Sequence, residues 1–523
     1  MWKKIIHNVK IEKVGFWWVW ISHTEEGKTI LVSGWVLPWM IVDVKVLKKK
    51  KDFIQGQAVK IVNSEKWIVN SDINDRWQFF EINWTKVCKH NFIFDSLLHN
   101  NPAFQSWNPA TIWCGWCKWQ ILPYEEQLNL KEQVVKDSFA WCDFFDEAYE
   151  GIVGCDKIFN YRNKMEFSFW KYVVTRLQDK SGSQEKKVKE KVILSNWSLW
   201  FHKQGQFSKI VDISNCLIAW EKINQVFSYL KNILKNSWLP VYDNYDHSWF
   251  FRHLVIRQWI NTGQVLVNLS VATKFFDKNK DKISLWTKLQ NNLLQDDFLK
   301  ENVSTFLITE NNWLADVVKW QDIKITPLRG PGYIFEKLNF KDTSLTFRIS
   351  AFSFFQTNTL QAQKLFQTAI DMLPDIKWNV LDLYCWAGTI WLTLLKLGIW
   401  EKLVWVEIVE DAVKDAWINA KINNLSDKVE FIADKAENIN FKAKNIWLIV
   451  VDPPRSWLHK NVIEFLSDLK KEKDFKLLYI SCNPVTMARD LKMLSEKGFD
   501  VKKLKAVDMF PHTHHIEMVW FVE

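Results

Sequence analysis

From about residue 341 onward the chain alternates short, almost wholly apolar runs with amphipathic ones: NVLDLYC, TIWLTLLKL, LVWVEI, EDAVKDAWINAKINN, VEFIAD, IWLIVVDPP and KLLYISC. Short apolar runs of this kind are strands buried on both faces, and the amphipathic stretches between them are helices covering those faces. The pattern predicts an α/β fold for residues 341–523, doubly wound and Rossmann-like, around a parallel sheet. Ligands of such sheets bind outside the carboxyl ends of the strands. The residues that end each strand are therefore the first candidates for a site.

The strand at 379–384 runs into a turn that opens a helix, and Glu407 follows Gly388 by 19 residues, at the end of the next strand. Such a layout lets backbone approach a nucleotide while an acidic side chain grips the ribose hydroxyls; dinucleotides and S-adenosylmethionine both use it. Positions 386, 388 and 391 have the spacing of G-x-G-x-x-G, yet only Gly388 is glycine, the others being Trp386 and Trp391. Tryptophan also stands in turn contexts at Pro38-Trp39, in CGWC (114–117) and in DPPRSW (452–457). The chain has 15 Gly and 33 Trp, whereas ordinary usage of about 7% would give ~37 Gly. Tryptophan belongs at buried apolar positions, and these turns favour glycine because they need positive φ. One reading is that Trp is written where the natural chain has Gly, as when a UGA codon assigned to glycine is translated as Trp. The other is a truly Trp-rich chain whose indoles block the cofactor loop.

Two later strand ends narrow the chemistry. VVDPPR places Asp452 and two prolines at a carboxyl end of the sheet, where a stiff, donor-poor loop suits a flat base. YISCNPVTMARD places Cys482 just beyond an apolar strand and before a helix, where helix N-terminal amides lower a thiol pKa. PHTHHIE supplies Glu517 ahead of the apolar MVWFV, while His512, His514 and His515 match no metal-ligand spacing.

Residues 1–85 read as short strands, ILVSGWV and then MIVDVKVL, with Val42, Val44 and Val46 alternating against Asp43 and Lys45. They predict a small OB-like β-barrel. Its Lys48–Lys51 run is either a solvated edge or a phosphate contact. Residues 86–340 form a central α+β region carrying six of the eight cysteines, with a polar hairpin tip or loop at 179–191 followed by the strands FFRHLVIRQ and QVLVNLSVAT. Cys114 and Cys117 form a C-x-x-C hairpin that brings two thiolates onto one metal. Cys385 reads as structural. The 523 residues suit roughly three domains at ~150 residues each. A composition of 25% charged and 48% hydrophobic residues with net charge +9 excludes a disordered or collagenous chain. No apolar run approaches the ~18 residues of a membrane span, and the start MWKKIIHNVKIEKV lacks the ~7-residue core of a signal peptide. A cytoplasmic protein without a membrane partner is expected.

Residues 341–523 resemble the RNA uracil-5-methyltransferase family, with FSFFQTN, LDLYCWAGTIWL, VDPPRSWL, SCNPVTMARD and DMFPHTHHIE in the family's order. The sequence departs from the family's pattern at Trp386, Trp391 and Trp457. The whole chain is similar to the ribosomal-RNA branch, which carries an N-terminal TRAM barrel and an iron–sulfur cluster. The resemblance implies a monomer that binds RNA and methylates one flipped-out uridine of 23S ribosomal RNA. It implies S-adenosylmethionine as donor, lined by Gln356, Tyr384, Thr389, Glu407, Asp434 and Asp452. Cys482 would add to uracil carbon 6 and Glu517 would remove the proton from carbon 5. Cys88, Cys114, Cys117 and Cys216 would hold a 4Fe-4S cluster. The 25 residues between Cys88 and Cys114 exceed the family's spacer, so Cys142 and Cys155 stand as alternatives to Cys88. Spacing alone fits a four-cysteine zinc site equally well. Three other readings stay open: a transfer-RNA target, an RNA-binding protein without chemistry, and a cytosine methyltransferase, which the absence of Cys from DPPRS disfavours.

Overall fold

The structure is a computed structural model of the full chain. It describes residues 5–14, 20–24, 26–33, 40–64, 117, 119–120, 122–178, 188–203, 206–211, 215–242, 250–313, 323–340, 343–374, 378–384, 388–398, 400–407, 410–433, 446–453 and 458–523. Cys88, Cys114, Cys385, Asp434, Trp39, Trp386, Trp457 and the 179–187 part of the polar tip lie outside the described residues.

The N-terminal strands Ile5–Lys10, Lys13–Val14, Trp20–His23, Thr29–Ser33, Met40–Lys49 and Phe53–Ser64 form one six-stranded sheet. Period-two alternation does what it predicts: Met40, Val42 and Val44 are buried while Ile41, Asp43 and Lys45 are only half-buried. The small core they share is completed by Trp119 and Leu122, from well beyond the sheet in sequence.

The central region is a seven-stranded, mostly antiparallel sheet, in the spatial order Gln206–Val211, Val188–Lys203, Lys164–Gln178, Phe251–Gln258, Val265–Val271, Thr305–Glu310 and Lys324–Arg329. The two expected strands pair antiparallel to each other. The strands that flank 179–187 pair antiparallel as well. Met165, Phe167, Phe169, Leu254 and Ile256 share a core with Ile223, Phe227 and Leu230 of the helix Glu221–Lys235. This is an α+β arrangement with helices on one apolar sheet face.

The third sheet has eight strands: β1 (Tyr149–Val153), β2 (Trp378–Asp382), β3 (Trp400–Glu407), β4 (Val429–Ala433), β5 (Leu448–Val451), β6 (Lys476–Ser481), β7 (Val501–Val507) and β8 (Glu517–Val522). Their order is β4-β3-β2-β5-β6-β8-β7-β1. Strands β2 to β6 pair parallel, and β8 runs antiparallel between β6 and β7. The six helices that matter to the site are α1 (Tyr124–Phe139), α2 (Thr359–Met372), α3 (Thr389–Lys396), α4 (Glu410–Ile422), α5 (Lys460–Glu472) and α6 (Pro484–Ser495). The sheet thus draws β1 from the stretch that the sequence pattern places in the central region. A five-residue strand reading YEGIV, only half-buried and paired on one side, has no local pattern that would assign it to a sheet built 230 residues later. Among the described residues no helix is long and apolar enough to cross a membrane.

Tryptophan sits badly in two ways. Trp238, just past the helix Glu221–Lys235, has φ +61° and is 86% exposed, a left-handed post-helix position of the kind glycine usually takes. The indole N–H groups of Trp259, Trp405 and Trp520 are buried without an acceptor among the described residues. A left-handed conformation costs a non-glycine residue about 1–2 kcal/mol. Trp238→Gly is therefore expected to raise the urea midpoint of unfolding, and a midpoint that falls would show that the indole makes a stabilising contact.

Candidate active site

The chain runs from β2 outward through β3 to β4, then returns to β5 on the other side of β2 and continues to β6. Strand order therefore reverses between β2 and β5, and α/β sheets bind ligands in the crevice at such a point. Ladder pairing aligns the strand ends there, with Asp382 opposite Val450, Glu407 opposite Ala433 and Val451 opposite Tyr479. Tyr384, Glu407, Asp452 and Cys482 consequently lie along one edge, each at or within two residues of a strand's carboxyl end. Asp434 follows β4 in sequence but is outside the described residues.

Gly388 caps α3 at φ +71°, and a Cβ added there would lie 2.9 Å from the Trp405 ring and 3.3 Å from the Ala416 Cβ. Conformation and close approach both demand glycine at the start of the helix whose first residue is Thr389. Helix N-termini favour negative or electron-rich groups. Tyr384 is half-buried, and its backbone N–H donates to Asp382 Oδ1 at 3.1 Å. Loss of water pushes the Asp452 carboxyl up to about 7. An oxygen-rich, partly dry crevice flanked by a glycine turn suits the ribose and amino-acid ends of S-adenosylmethionine.

Gln356 stands three residues before α2. Asn163 Nδ2 donates to the Gln356 carbonyl at 3.0 Å and the Asn163 N–H donates to the Thr357 carbonyl at 2.8 Å, so FSFFQTN is stapled to the first residues of the central sheet. Asn358 then caps α2, its side chain accepting from the Gln361 N–H.

Cys482 is half-buried between the end of β6 and the start of α6. Asn483 caps that helix, its Oδ1 accepting from the N–H groups of Val485 and Thr486 at 3.1 and 3.2 Å. The antiparallel register of β6 and β8 pairs Ser481 with Met518. Cys482 follows the end of β6 and the buried Glu517 opens β8, so both stand next to that last pair, at the edge that carries Tyr384 and Asp452.

Residues that sequence reasoning missed hold Glu517's approach. Lys131 Nζ meets Asp508 Oδ1 at 2.5 Å with both side chains fully buried, and Tyr124 Oη donates to Asp508 Oδ2 at 2.8 Å. Asn358 donates to the Met509 carbonyl at 3.0 Å, Tyr161 donates to the Pro511 carbonyl at 2.9 Å, and Gln127 Oε1 accepts from the His512 N–H at 2.7 Å. His512 is itself buried, and burial together with Lys131 pushes its imidazole down to about 3. It is a neutral structural residue. The signal for Lys131 was available, since it stands with Gln127, Val135 and Phe139 on the inward stripe of α1.

Among the described residues no group of three or more His, Cys, Asp or Glu could hold a metal. Cys216 is buried in the core of the central sheet, and the half-buried Cys117 packs against that core. Cys142 belongs to a different core, with its thiol against the Ala488 carbonyl of α6 and pushed up to about 11 by burial. Cys155 packs against Asn358 and Lys157.

The model of the tRNA (uracil-5-)-methyltransferase family matches residues 318–523. An uncharacterised RNA methyltransferase of Caldanaerobacter subterraneus subsp. tengcongensis is 30% identical over 519 residues, covering 99% of this chain and 98% of its own. Another from Clostridium tetani is 31% identical, covering 98% of this chain and 96% of its own. The crystal structure of Pyrococcus abyssi tRNA (uracil-54, C5)-methyltransferase with S-adenosyl-L-homocysteine superposes with a TM-score of 0.65 at 22% identity, over 99% of this chain and 100% of that one, and shares the fold. With the family model on residues 318–523 and RNA methyltransferases 30–31% identical over nearly the whole chain, the chain belongs to the tRNA (uracil-5-)-methyltransferase family and is an S-adenosylmethionine-dependent RNA methyltransferase.

Proposed function

We propose that this protein methylates carbon 5 of one uridine in 23S ribosomal RNA through a covalent adduct on Cys482. The observation that carries the reading is the register of β6 and β8, whose last pair, Ser481 with Met518, is adjacent in sequence to both Cys482 and Glu517 at the edge of the donor crevice. Uracil carbon 5 is a poor nucleophile. Addition of the Cys482 thiolate to carbon 6 pushes an electron pair toward carbon 5, which then takes the methyl group from the donor sulfonium. Glu517 removes the remaining proton from carbon 5, and the electrons of that bond expel the thiolate and restore the ring double bond. Gln356, Tyr384, Thr389, Glu407, Asp434 and Asp452 line the donor site in this reading. The uridine reaches it only when unstacked.

Residues 1–85 serve as a TRAM barrel for RNA, residues 86–340 as a central domain, and residues 341–523 as the methyltransferase domain of a cytoplasmic monomer. Cys88, Cys114, Cys117 and Cys216 hold a 4Fe-4S cluster, a reading supported by the packing of Cys117 against the core that contains Cys216. Glycine in place of Trp386 and Trp391 completes the donor loop, and the strained Trp238 and the acceptorless indoles support that reading. A transfer-RNA target is the second reading, favoured by the description of the matching family.

Incubation with S-adenosylmethionine and 5-fluorouridine transcripts of 23S ribosomal RNA tests the first reading. A covalent complex is expected with the wild type and none with Cys482→Ala; an adduct confined to transfer-RNA transcripts would favour the second. Protein purified without oxygen is expected to carry iron and absorb near ~400 nm, and metal analysis that finds zinc instead would remove the cluster. Because Asp452 titrates near 7 in the folded chain and near ~3.9 unfolded, the fold prefers its protonated form. That contribution is complete in acid and is lost as pH rises from about 4 to 7. The melting-temperature gap between Asp452→Asn and wild type is expected to widen in favour of the variant over that window and then stay level, while methylation falls; a gap flat across pH would mean that Asp452 is not held protonated.

A further inference from the structure

Strands β7 and β8 form a hairpin whose closing pair is Val507 with Glu517, so residues 508–516 are the loop that carries the chain round to Glu517. Within it, Asp508 Oδ1 accepts from the Phe510 N–H at 3.0 Å. The Phe510 carbonyl accepts from the Thr513 N–H at 3.2 Å, from Thr513 Oγ1 at 2.7 Å and from Lys131 Nζ at 3.2 Å. Thr513 Oγ1 in turn accepts from the His515 N–H at 3.3 Å. Beside Thr513, His512 stands in the left-handed region at φ +65° and is held from both sides: its N–H donates to Gln127 Oε1 at 2.7 Å, and its carbonyl accepts from the Trp119 N–H at 3.1 Å.

A line of hydrogen bonds thus runs from the buried pair of Lys131 and Asp508 to His515, two residues before Glu517. Thr513 is its last link. The buried hydroxyl donates its one proton backward to Phe510 and takes the His515 N–H on a lone pair, and a methyl group could do neither. A bulky residue persists in the left-handed region only where its surroundings over-determine it, and such residues gather at functional sites. A base must lie within hydrogen-bond reach of the proton it removes. The addition of a thiolate to carbon 6 makes no such demand on Glu517.

We propose that Thr513 is a positioning residue for the proton-abstraction step, its hydroxyl fixing the path by which the 508–516 loop delivers Glu517. The proposal rests on the reading of Cys482 as nucleophile and Glu517 as base. In that step Glu517 takes the proton from carbon 5, the electrons of the broken bond form the double bond between carbons 5 and 6, and the bond from carbon 6 to sulfur breaks with its pair on the Cys482 thiolate. Loss of the hydroxyl slows this step alone, so the methylated adduct waits on the enzyme.

The test uses the full chain, S-adenosylmethionine and two transcripts of whichever RNA traps the wild type, 23S ribosomal or transfer RNA: one made with 5-fluorouridine, whose carbon 5 has no proton to lose, and one with ordinary uridine. Thr513→Val leaves Lys131 and the residue's own N–H on the Phe510 carbonyl and frees only the N–H of the half-buried His515. It is expected to form the 5-fluorouridine adduct at the wild-type rate. On ordinary uridine its turnover is expected to fall about tenfold, inside the ~100-fold that a 1 Å misplacement costs, and a methylated covalent adduct to accumulate. Thr513→Ser, which keeps the hydroxyl, is expected to restore turnover, and Thr513→Ala carries the test if Thr513→Val fails to fold. Wild-type turnover without a trapped adduct overturns the proposal. So does an equal loss of adduct on both transcripts, which is what general damage to the fold would produce, and so does a Thr513→Ser variant as slow as Thr513→Val. Glu517→Gln is the control: if it turns over ordinary uridine normally, the base assignment itself falls, and a wild type that traps neither RNA removes the Cys482 adduct.

Discussion

The buried pair of Lys131 and Asp508 is the contact on which the rest of the site depends. Taking either charge out of water alone costs several kcal/mol, and removing one partner of such a pair typically costs about 3–5 kcal/mol, because the other is left uncompensated. Burial drives the Lys131 amine down and Asp508 drives it back up, so the two must enter the interior together. Around them the chain closes from three directions. The N–H of Trp119, whose ring completes the N-terminal core, donates to the His512 carbonyl; α1 supplies Tyr124 and Gln127; Asn358 reaches in from the cap of α2. All of them hold residues 508–512, and five residues later the same segment becomes β8 and delivers Glu517.

That delivery explains why one antiparallel strand interrupts a parallel sheet. Parallel strands bring their last residues to the active edge, which is how Tyr384, Glu407, Asp452 and Cys482 come to share it. A strand of opposite sense brings its first residue there. Glu517 begins β8, so the antiparallel pairing with β6 brings it to the end of the sheet where Cys482 follows β6. A parallel β8 would have left Glu517 at the opposite end of the sheet, about six residues of 3.3 Å rise away. Strand ends thus bring both Cys482 and Glu517 to that edge.

Much of this was legible because it is local. Apolar runs, the glycine turn at 388, the D-P-P loop and the S-C-N-P turn are each read within a dozen residues, and each lies where the strand-end rule puts it. What stayed hidden depends on partners far along the chain. Tyr149–Val153 shows no alternation that announces an edge strand, and Trp119 gives no sign that it will fill the core of strands ending at residue 64. Lys131 is visible as a charge on an apolar stripe, but its partner 377 residues away is not. The hydrogen bonds of the Asp490 carboxyl to Tyr479 and Leu458 likewise join residues that no local pattern connects. The cysteines divide in the same way: the C-x-x-C spacing is local, whereas the packing of Cys117 against the core that holds Cys216 is tertiary.

The tryptophans conflict with this otherwise consistent design. A buried N–H without a partner costs about 1–3 kcal/mol, and Trp259, Trp405 and Trp520 each carry one. Together they approach the ~5–15 kcal/mol that separates a folded domain from an unfolded one. Trp405 also presses its ring to within 2.9 Å of the place where a Cβ on Gly388 would stand, so the donor turn is confined both by its own left-handed backbone and by a neighbour. Natural sequences seldom set local and global preferences against each other at so many positions. Glycine at 405 would remove one N–H that has no acceptor among the described residues, and glycine at 238 would remove the left-handed φ of a bulky side chain.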